Sequence, residues 1–372
     1  MNTRTYSSPR RLRSVFALLA AGTLVLAACG GDDDAADTTE APAEEPAAAE
    51  TTAAPAEEPA VETTAAPAAE PAADPKADWP SRLTFAAVPA ENAEEISSYV
   101  TPQIIADELG VEMEFVQAAD YAGVIEGMVA ERVDIGSFGA FSYVIATGAG
   151  ADIDVAGLWA SDTPDTIGDY RSYLIVPVGS DIQAPADLAG KKVCFVDPGS
   201  TSGFLFPSAA LLAEGLDPSE TSTDIEAIFA GGHDASAIAV NNGDCDAGFA
   251  YDTMVTEQLI ESGDIPGVID LVEDETVNEA DATIQIIWKS TPIAAPPLAF
   301  GNWLPKSMQE EIVDIVTTKV NVDWAVENGY CASADDCPLS DGPFWGYLAG
   351  EDSYYDGIRE LCELTGSSKC NL

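Results

Sequence analysis

Asp197-Pro-Gly-Ser-Thr-Ser-Gly-Phe-Leu-Phe-Pro207 is the stretch around which this 372-residue chain is organised. The strand-like run Lys192–Val196 leads into it, and helical residues Ser208–Ala213 lead out. Pro198 and Gly199 suit a sharp turn. Ser200, Thr201 and Ser202 then set three hydroxyls beside the unpaired backbone N–H groups of a helix start. Donors and partial positive charge at such a start suit a small tetrahedral oxyanion. Serine and threonine also favour N-caps for local reasons, so the stretch needs partners before it implies a ligand.

Outward from it, short apolar runs alternate with helical segments. The strand-like runs are Leu83–Val88, Val111–Gln117, Asp134–Gly136, Ile153–Trp159, Ser172–Val178, Lys192–Val196, Ile225–Phe229, Asp246–Ala250 and Thr283–Trp288. Helices are expected over Ala93–Leu109, Ala122–Glu131, Phe141–Gly148, Gly203–Glu214, Ala235–Asn241 and Thr253–Ser262. This order predicts an α/β fold with mainly parallel sheets. Met308, Ile312, Ile315, Val316 and Val320 recur at helical spacing and predict one helix from Pro305 to Asn328. Tyr170–Val178 and Thr283–Ser290 read as crossovers between domains. Residues 79–174 and 284–372 would then form a discontinuous first domain and 175–283 a second, with two hinge strands and a ligand cleft between them.

The N-terminus reads as a targeting segment. Arg4, Arg10, Arg11 and Arg13 precede the apolar run Val15–Ala28, which ends Leu26-Ala-Ala-Cys29 like a lipobox. Residues 1–29 are therefore expected to be a lipoprotein signal peptide, with Cys29 the lipidated residue. Arg10-Arg11 is only a weak match to a twin-arginine signal. Residues 30–78 repeat Glu-Thr-Thr-Ala-Ala-Pro from Glu50 and from Glu62, carry no periodic apolar residues, and read as a disordered tether. The expected location is the outer face of the cell membrane, reached by export and held by lipid.

The formal net charge is -49. Residues 30–78 hold fourteen acids and one lysine, which leaves 50 acids against 10 bases from Trp79 onward. So acidic a domain argues against nucleic acid or an anionic lipid surface as partner. Beyond Cys29 there are six cysteines, which in an exported chain suggests disulfides. Sequence position favours Cys194–Cys245, Cys331–Cys337 and Cys362–Cys370. An oxidising compartment also argues against a catalytic thiol.

Three further constellations accompany the opening stretch. Ala118-Ala-Asp-Tyr121-Ala-Gly and Val133-Asp-Ile-Gly-Ser-Phe-Gly-Ala-Phe-Ser-Tyr143 each bring a tyrosine to a helix start. Phe229-Ala-Gly-Gly-His233-Asp carries the chain's one histidine, and Asp244-Cys-Asp-Ala-Gly-Phe-Ala-Tyr251-Asp252 ends a strand with a Tyr–Asp pair. With these residues the chain resembles the phosphate/phosphite/phosphonate solute-binding proteins of ABC importers, which have the bilobed type II periplasmic-binding-protein fold. Matching motifs run from Leu83 to about Trp288, with a weaker match through the C-terminal helices.

The resemblance implies that Ser200, Thr201 and Ser202 hold the phosphoryl or phosphonyl oxygens. It implies that His233 donates to another oxygen, that Tyr121 and Tyr143 reach in from the first domain, and that Asp252 accepts a P–OH proton or pairs with a ligand amine. It also implies ABC permease and ATPase subunits as partners, a monomer, and no metal, cofactor or catalysis. One departure stands out: Ile293-Ala-Ala-Pro296-Pro297 has proline where the family often carries a ligand-facing aspartate. That favours a small oxyanion, phosphonate or phosphite, over an aminoalkylphosphonate.

Phosphate, a sulfonate or a thiamine-pyrimidine precursor remain alternative ligands, and an exported phosphatase or esterase an alternative class. Against the enzyme, no Gly-x-Ser-x-Gly elbow is present, and one histidine makes no metal set. The Gly-Ser-Thr-Ser-Gly turn also lacks the lysine of a P-loop.

Overall fold

The computed structural model describes residues 76–370, apart from 91–97, 162, 274, 335–336 and 341–343. The expected signal peptide, the lipobox Cys29 and nearly all of the tether lie outside the described residues. So does the start of the expected helix Ala93–Leu109.

Along the chain, β1 (Arg82–Ala87), α1 (Thr101–Leu109), β2 (Glu112–Phe115), α2 (Tyr121–Val129), β3 (Ile135–Ser137), α3 (Ala140–Gly148) and β4 (Ile153–Trp159) begin a first lobe. Among the described residues, α1 starts at Thr101 because Pro102 fits only the first turn of a helix. The short strand β5 (Asp169–Tyr170) leads out of this lobe.

The second lobe contains β6 (Ser172–Pro177), β7 (Lys192–Phe195), α4 (Phe206–Ala213), β8 (Glu226–Phe229), α5 (His233–Asn241), β9 (Ala247–Tyr251), α6 (Leu259–Glu261), β10 (Val268–Asp270) and β11 (Ile284–Lys289). The chain returns through β12 (Ile293–Ala294). It completes the first lobe with β13 (Pro297–Gly301), α7 (Lys306–Thr318), α8 (Val322–Glu327), β14 (Tyr347–Leu348) and α9 (Asp356–Thr365).

Each lobe is built on a six-stranded sheet, in order β14-β4-β13-β3-β1-β2 and β10-β11-β6-β9-β7-β8. The sheets are mixed rather than mainly parallel. β13 runs antiparallel to β3 and β4, and β6 antiparallel to β9 and β11, because these strands carry the chain into or out of a lobe. The switch points also differ from 174/175 and 283/284. β6 and β11 lie wholly in the second sheet, and the crossing is made by β5 and β12, which pair only with each other. Residues 172–174 and 284–289 thus belong to the second lobe, where their apolar side chains extend its core.

The helix expected from Pro305 to Asn328 is broken at Asn321, whose side chain accepts the Trp324 N–H at 2.9 Å and caps α8. Its apolar face is as expected: Met308, Ile312, Ile315, Val316 and Val320 are all fully buried. Disulfides join Cys194–Cys245, Cys331–Cys337 and Cys362–Cys370, with Cα separations of 5.9, 5.1 and 5.6 Å.

One core cluster reaches across both lobes. Val196 and Leu205 of the second lobe pack with Tyr121, Phe141, Tyr143, Tyr355 and Ile358 of the first. Apolar packing therefore continues from one lobe into the other.

Candidate functional site

The strands β7, β8 and β9 of the second lobe run parallel, so their C-terminal ends share one edge. After β7 comes the Asp197–Leu205 turn, after β8 the Ala230–Gly232 turn, and after β9 the Asp252–Thr253 corner. Ligands in open α/β sheets gather at such ends. Gly231 takes φ +91°, a left-handed bend that glycine adopts without strain, and it sets His233 at the start of α5. From the first lobe, α2 and α3 present their N-termini.

Between the lobes is a cavity of about 340 Å³ lined by Tyr121, Ser200, Thr201, Ser202, His233 and Asp252 among others. Six of the seven side chains expected at the ligand are thus brought together. Tyr143 is not. It lies inside α3, fully buried, and its hydroxyl donates to Asp352 at 3.0 Å, while burial and that carboxylate push its pKa up. The helix start it shares with Gly139 faces the cleft, but its own side chain packs into the core against Phe138 and Tyr355.

The hydrogen bonds decide what each group can do. The Tyr251 backbone N–H donates to His233 Nδ1 at 3.2 Å, so the neutral ring carries its proton on Nε2. Burial lowers the His233 pKa from 6.5 to about 3, which keeps the ring neutral at physiological pH. Nε2–H then donates toward Ser200 Oγ at 3.3 Å, and the Gly203 N–H donates to the same oxygen at 3.0 Å. With both lone pairs taken, the Ser200 hydroxyl has only its hydrogen left to give. Thr201 Oγ1 likewise accepts the Phe141 N–H at 2.8 Å. The Ser202 carbonyl accepts from Ser172 Oγ at 2.6 Å, which ties the turn to the first residue of β6.

The arrangement cannot run the serine–histidine chemistry of a hydrolase. Nε2 already carries the proton, and Nδ1 is held by a backbone donor rather than oriented by a carboxylate. It can present neutral hydrogen-bond donors to an anion.

No lysine or arginine lines the cavity among the described residues, but Asp169, Asp252 and Glu257 do. Asp252 accepts N–H groups of Arg171 and Thr253, at 2.9 and 3.0 Å. Burial nevertheless raises its pKa from 3.8 to about 6, with Glu275 adding to the rise. Pro296 lines the cavity too.

Several lining residues escaped the sequence reading. Trp159 and Phe344, stacked at 4.7 Å, come from the end of β4 and the C-terminal tail, and Glu257 from the turn after β9. None belongs to a local motif, so only the fold assembles them.

Two lobes joined by paired hinge strands, with helix N-termini and uncharged donors around the cavity between them, define a solute-binding protein for a small anion. Residues 85–319 match the family described as "ABC transporter, phosphonate, periplasmic substrate-binding protein", and the chain belongs to that family. It is 42% identical over 300 residues to the phosphate-import protein PhnD of Mycolicibacterium smegmatis, covering 78% of this chain and 88% of that protein. It is 29% identical over 239 residues to the phosphonates-binding periplasmic protein of Escherichia coli, covering 62% and 64%.

Two solved structures share the fold. The binding protein of an ABC phosphonate transporter from Pseudomonas aeruginosa has a TM-score of 0.62 at 23% identity, covering 78% of this chain and 87% of that one. PhnD1 of Prochlorococcus marinus, in complex with methylphosphonate, has 0.61 at 17% identity, covering 79% and 99%. The chain is the substrate-binding component of a phosphonate/phosphate ABC importer, and not an enzyme.

Proposed function

We propose that the cleft captures a small phosphorus oxyanion, a phosphonate or phosphite, and that closure about β5 and β12 holds it for delivery to the permease. Ser200, Thr201, Ser202 and Tyr121 supply the donors, and His233 acts through Ser200, whose oxygen its Nε2–H holds. The observation that carries this is Ser200 Oγ, which receives two N–H donors and so must give its own hydrogen away. Neutral donors in a site withdrawn from water make strong charge-assisted bonds without selecting for bulk charge. Trp159, Phe344 and Phe138 line the same cavity, apolar surface that a carbon substituent on phosphorus would cover.

A second reading, inorganic phosphate, is favoured by the 42% identical relative named for phosphate import. Calorimetry of refolded, ligand-stripped protein against phosphite, methylphosphonate, 2-aminoethylphosphonate and phosphate decides between them. Binding of none below millimolar would end the oxyanion reading.

Asp252 gives the site a pH dependence. In the complex the carboxyl group and the oxyanion share one proton, and in the ligand-free protein the carboxyl group loses that proton as pH rises through about 6. Affinity is therefore expected to be higher at pH 5 than at pH 8, with a shallower fall in Asp252→Asn. Parallel pH profiles for the two proteins would remove Asp252 from the ligand.

The protein would act as a monomer, held to the membrane by lipid on Cys29. Mass spectrometry of the purified protein is expected to find that lipid and to lose it in Cys29→Ala. An unmodified Cys29 in the wild type would exclude the anchor.

A further inference from the structure

Among the described residues, three hydrogen bonds that bear on closure cross between the lobes beside the cavity. The His233 backbone N–H donates to the Ala90 carbonyl at 3.0 Å, and the Phe141 N–H donates to Thr201 Oγ1 at 2.8 Å. Both involve cavity-lining residues, so neither separates closure from ligand contact. The third can be broken from the side that stays clear of the ligand: its donor residue, Tyr121, lines the cavity, but its acceptor, Asp197, does not. The Asp197 carboxylate accepts the Gly199 N–H of its own turn at 2.7 Å and the Tyr121 backbone N–H of the first lobe.

Tyr121 is the first residue of α2, so its N–H has no partner within the helix. Asp120, the N-cap, spends its carboxylate on the Gly123 N–H at 2.8 Å. A partner for Tyr121 must come from elsewhere, and it comes from across the cleft. Gly199 makes the approach possible: a Cβ there would stand 3.3 Å from Tyr121 Cβ and 3.3 Å from Asp197 Oδ1, tighter than ordinary contact. Burial raises the Asp197 pKa above the ordinary carboxylate value and Asp120 adds to the rise, while the Gly199 and Tyr121 N–H groups and Lys369 favour the charge.

We propose that Asp197 is the latch of the cleft, a positioning residue that sets the balance between open and closed lobes, and hence ligand residence time, without touching the ligand. The carboxylate bonds Gly199 in either state but reaches the Tyr121 N–H only when the lobes meet. Its stabilisation therefore falls on the closed form alone. The inference rests on the reading of the cleft as a closing capture site.

The test uses the whole chain with three substitutions, measured by small-angle X-ray scattering and by stopped-flow binding of methylphosphonate and of phosphate. Without ligand, Asp197→Ala is expected to show a larger radius of gyration than wild type. With a probe that binds, dissociation should be about tenfold to a hundredfold faster, the worth of one hydrogen bond to a charged group. Association should not slow, and should rise only as far as the open fraction does, because the encounter is with the open form.

Asp197→Asn keeps an acceptor oxygen and should recover part of the loss. Gly199→Ala keeps the carboxylate but crowds both it and Tyr121, and should reproduce the faster dissociation. An unchanged radius of gyration in ligand-free Asp197→Ala overturns the latch even if no probe binds. So does wild-type dissociation from Gly199→Ala, which would leave Asp197 a local turn residue and the ligand reading intact.

Discussion

Replacing Ser200 and Thr201 together by alanine is expected to lower affinity for the bound oxyanion by about a hundredfold or more. Ser200 has both acceptor positions of its hydroxyl filled, by Gly203 and His233, and Thr201 has one filled, by Phe141. That pins each oxygen and directs its hydrogen to whatever lies in the cavity. A hydrogen bond to a charged group contributes about 1.5–3 kcal/mol, so two give roughly 3–6 kcal/mol if they act independently. At about 1.4 kcal/mol per tenfold, the lower figure is already two decades.

The fold should survive. The Gly203 N–H lies in the wide helical turn Thr201–Leu205, and the apolar residues beneath it, Val196 and Leu205, are untouched. Calorimetry measures the affinity and circular dichroism checks the fold. Full affinity in the double variant would mean that the ligand is held elsewhere in the cavity, as a flat solute against Trp159 and Phe344 would be.

The hydroxyl turn, the histidine turn and the Tyr121 helix start could be found in the sequence because each is a local event. A strand ends, a glycine or proline turns the chain, and a helix begins within a few residues. Strand direction is not local. Periodicity shows that Pro297–Gly301 and Ser172–Pro177 are apolar but not which way they run, and both are antiparallel to their neighbours. Tyr143 shows a related limit. Its helix start faces the cleft, yet the side chain three residues inside the helix turns to Asp352, which sits more than two hundred residues later in the chain. Asp197 was visible as the first residue of the decisive turn. Its link to Tyr121 required the lobes to be in place.

His233 carries the second large expectation, and it concerns stability rather than affinity. In the ligand-free protein, burial holds its pKa near 3, against 6.5 for an ordinary imidazole. Above pH 6.5 the ring is neutral whether folded or unfolded. Below it, the unfolded chain takes up a proton that the folded chain refuses, so this contribution to stability is lost as pH falls from 6.5 toward 3. At pH 4 the loss is about 3 kcal/mol, at 1.36 kcal/mol per pKa unit.

Asp252 works in the opposite direction. Its folded pKa is raised to about 6, so its contribution is full below 3.8 and disappears as pH rises through 6. The wild-type curve therefore shows only the difference between the two. His233→Asn isolates the histidine: Asn Oδ1 can still accept the Tyr251 N–H, nothing remains to titrate at that position, and Asp252 is common to both proteins. Between pH 7 and pH 4, urea unfolding of wild type should lose about 3 kcal/mol more than that of His233→Asn. The chain's one imidazole should also stay neutral by NMR down to about pH 4. An imidazole that titrates near 6.5 in the folded protein, or equal losses in the two proteins, would mean that His233 is open to water and is not the fixed Nε2–H donor of the cleft.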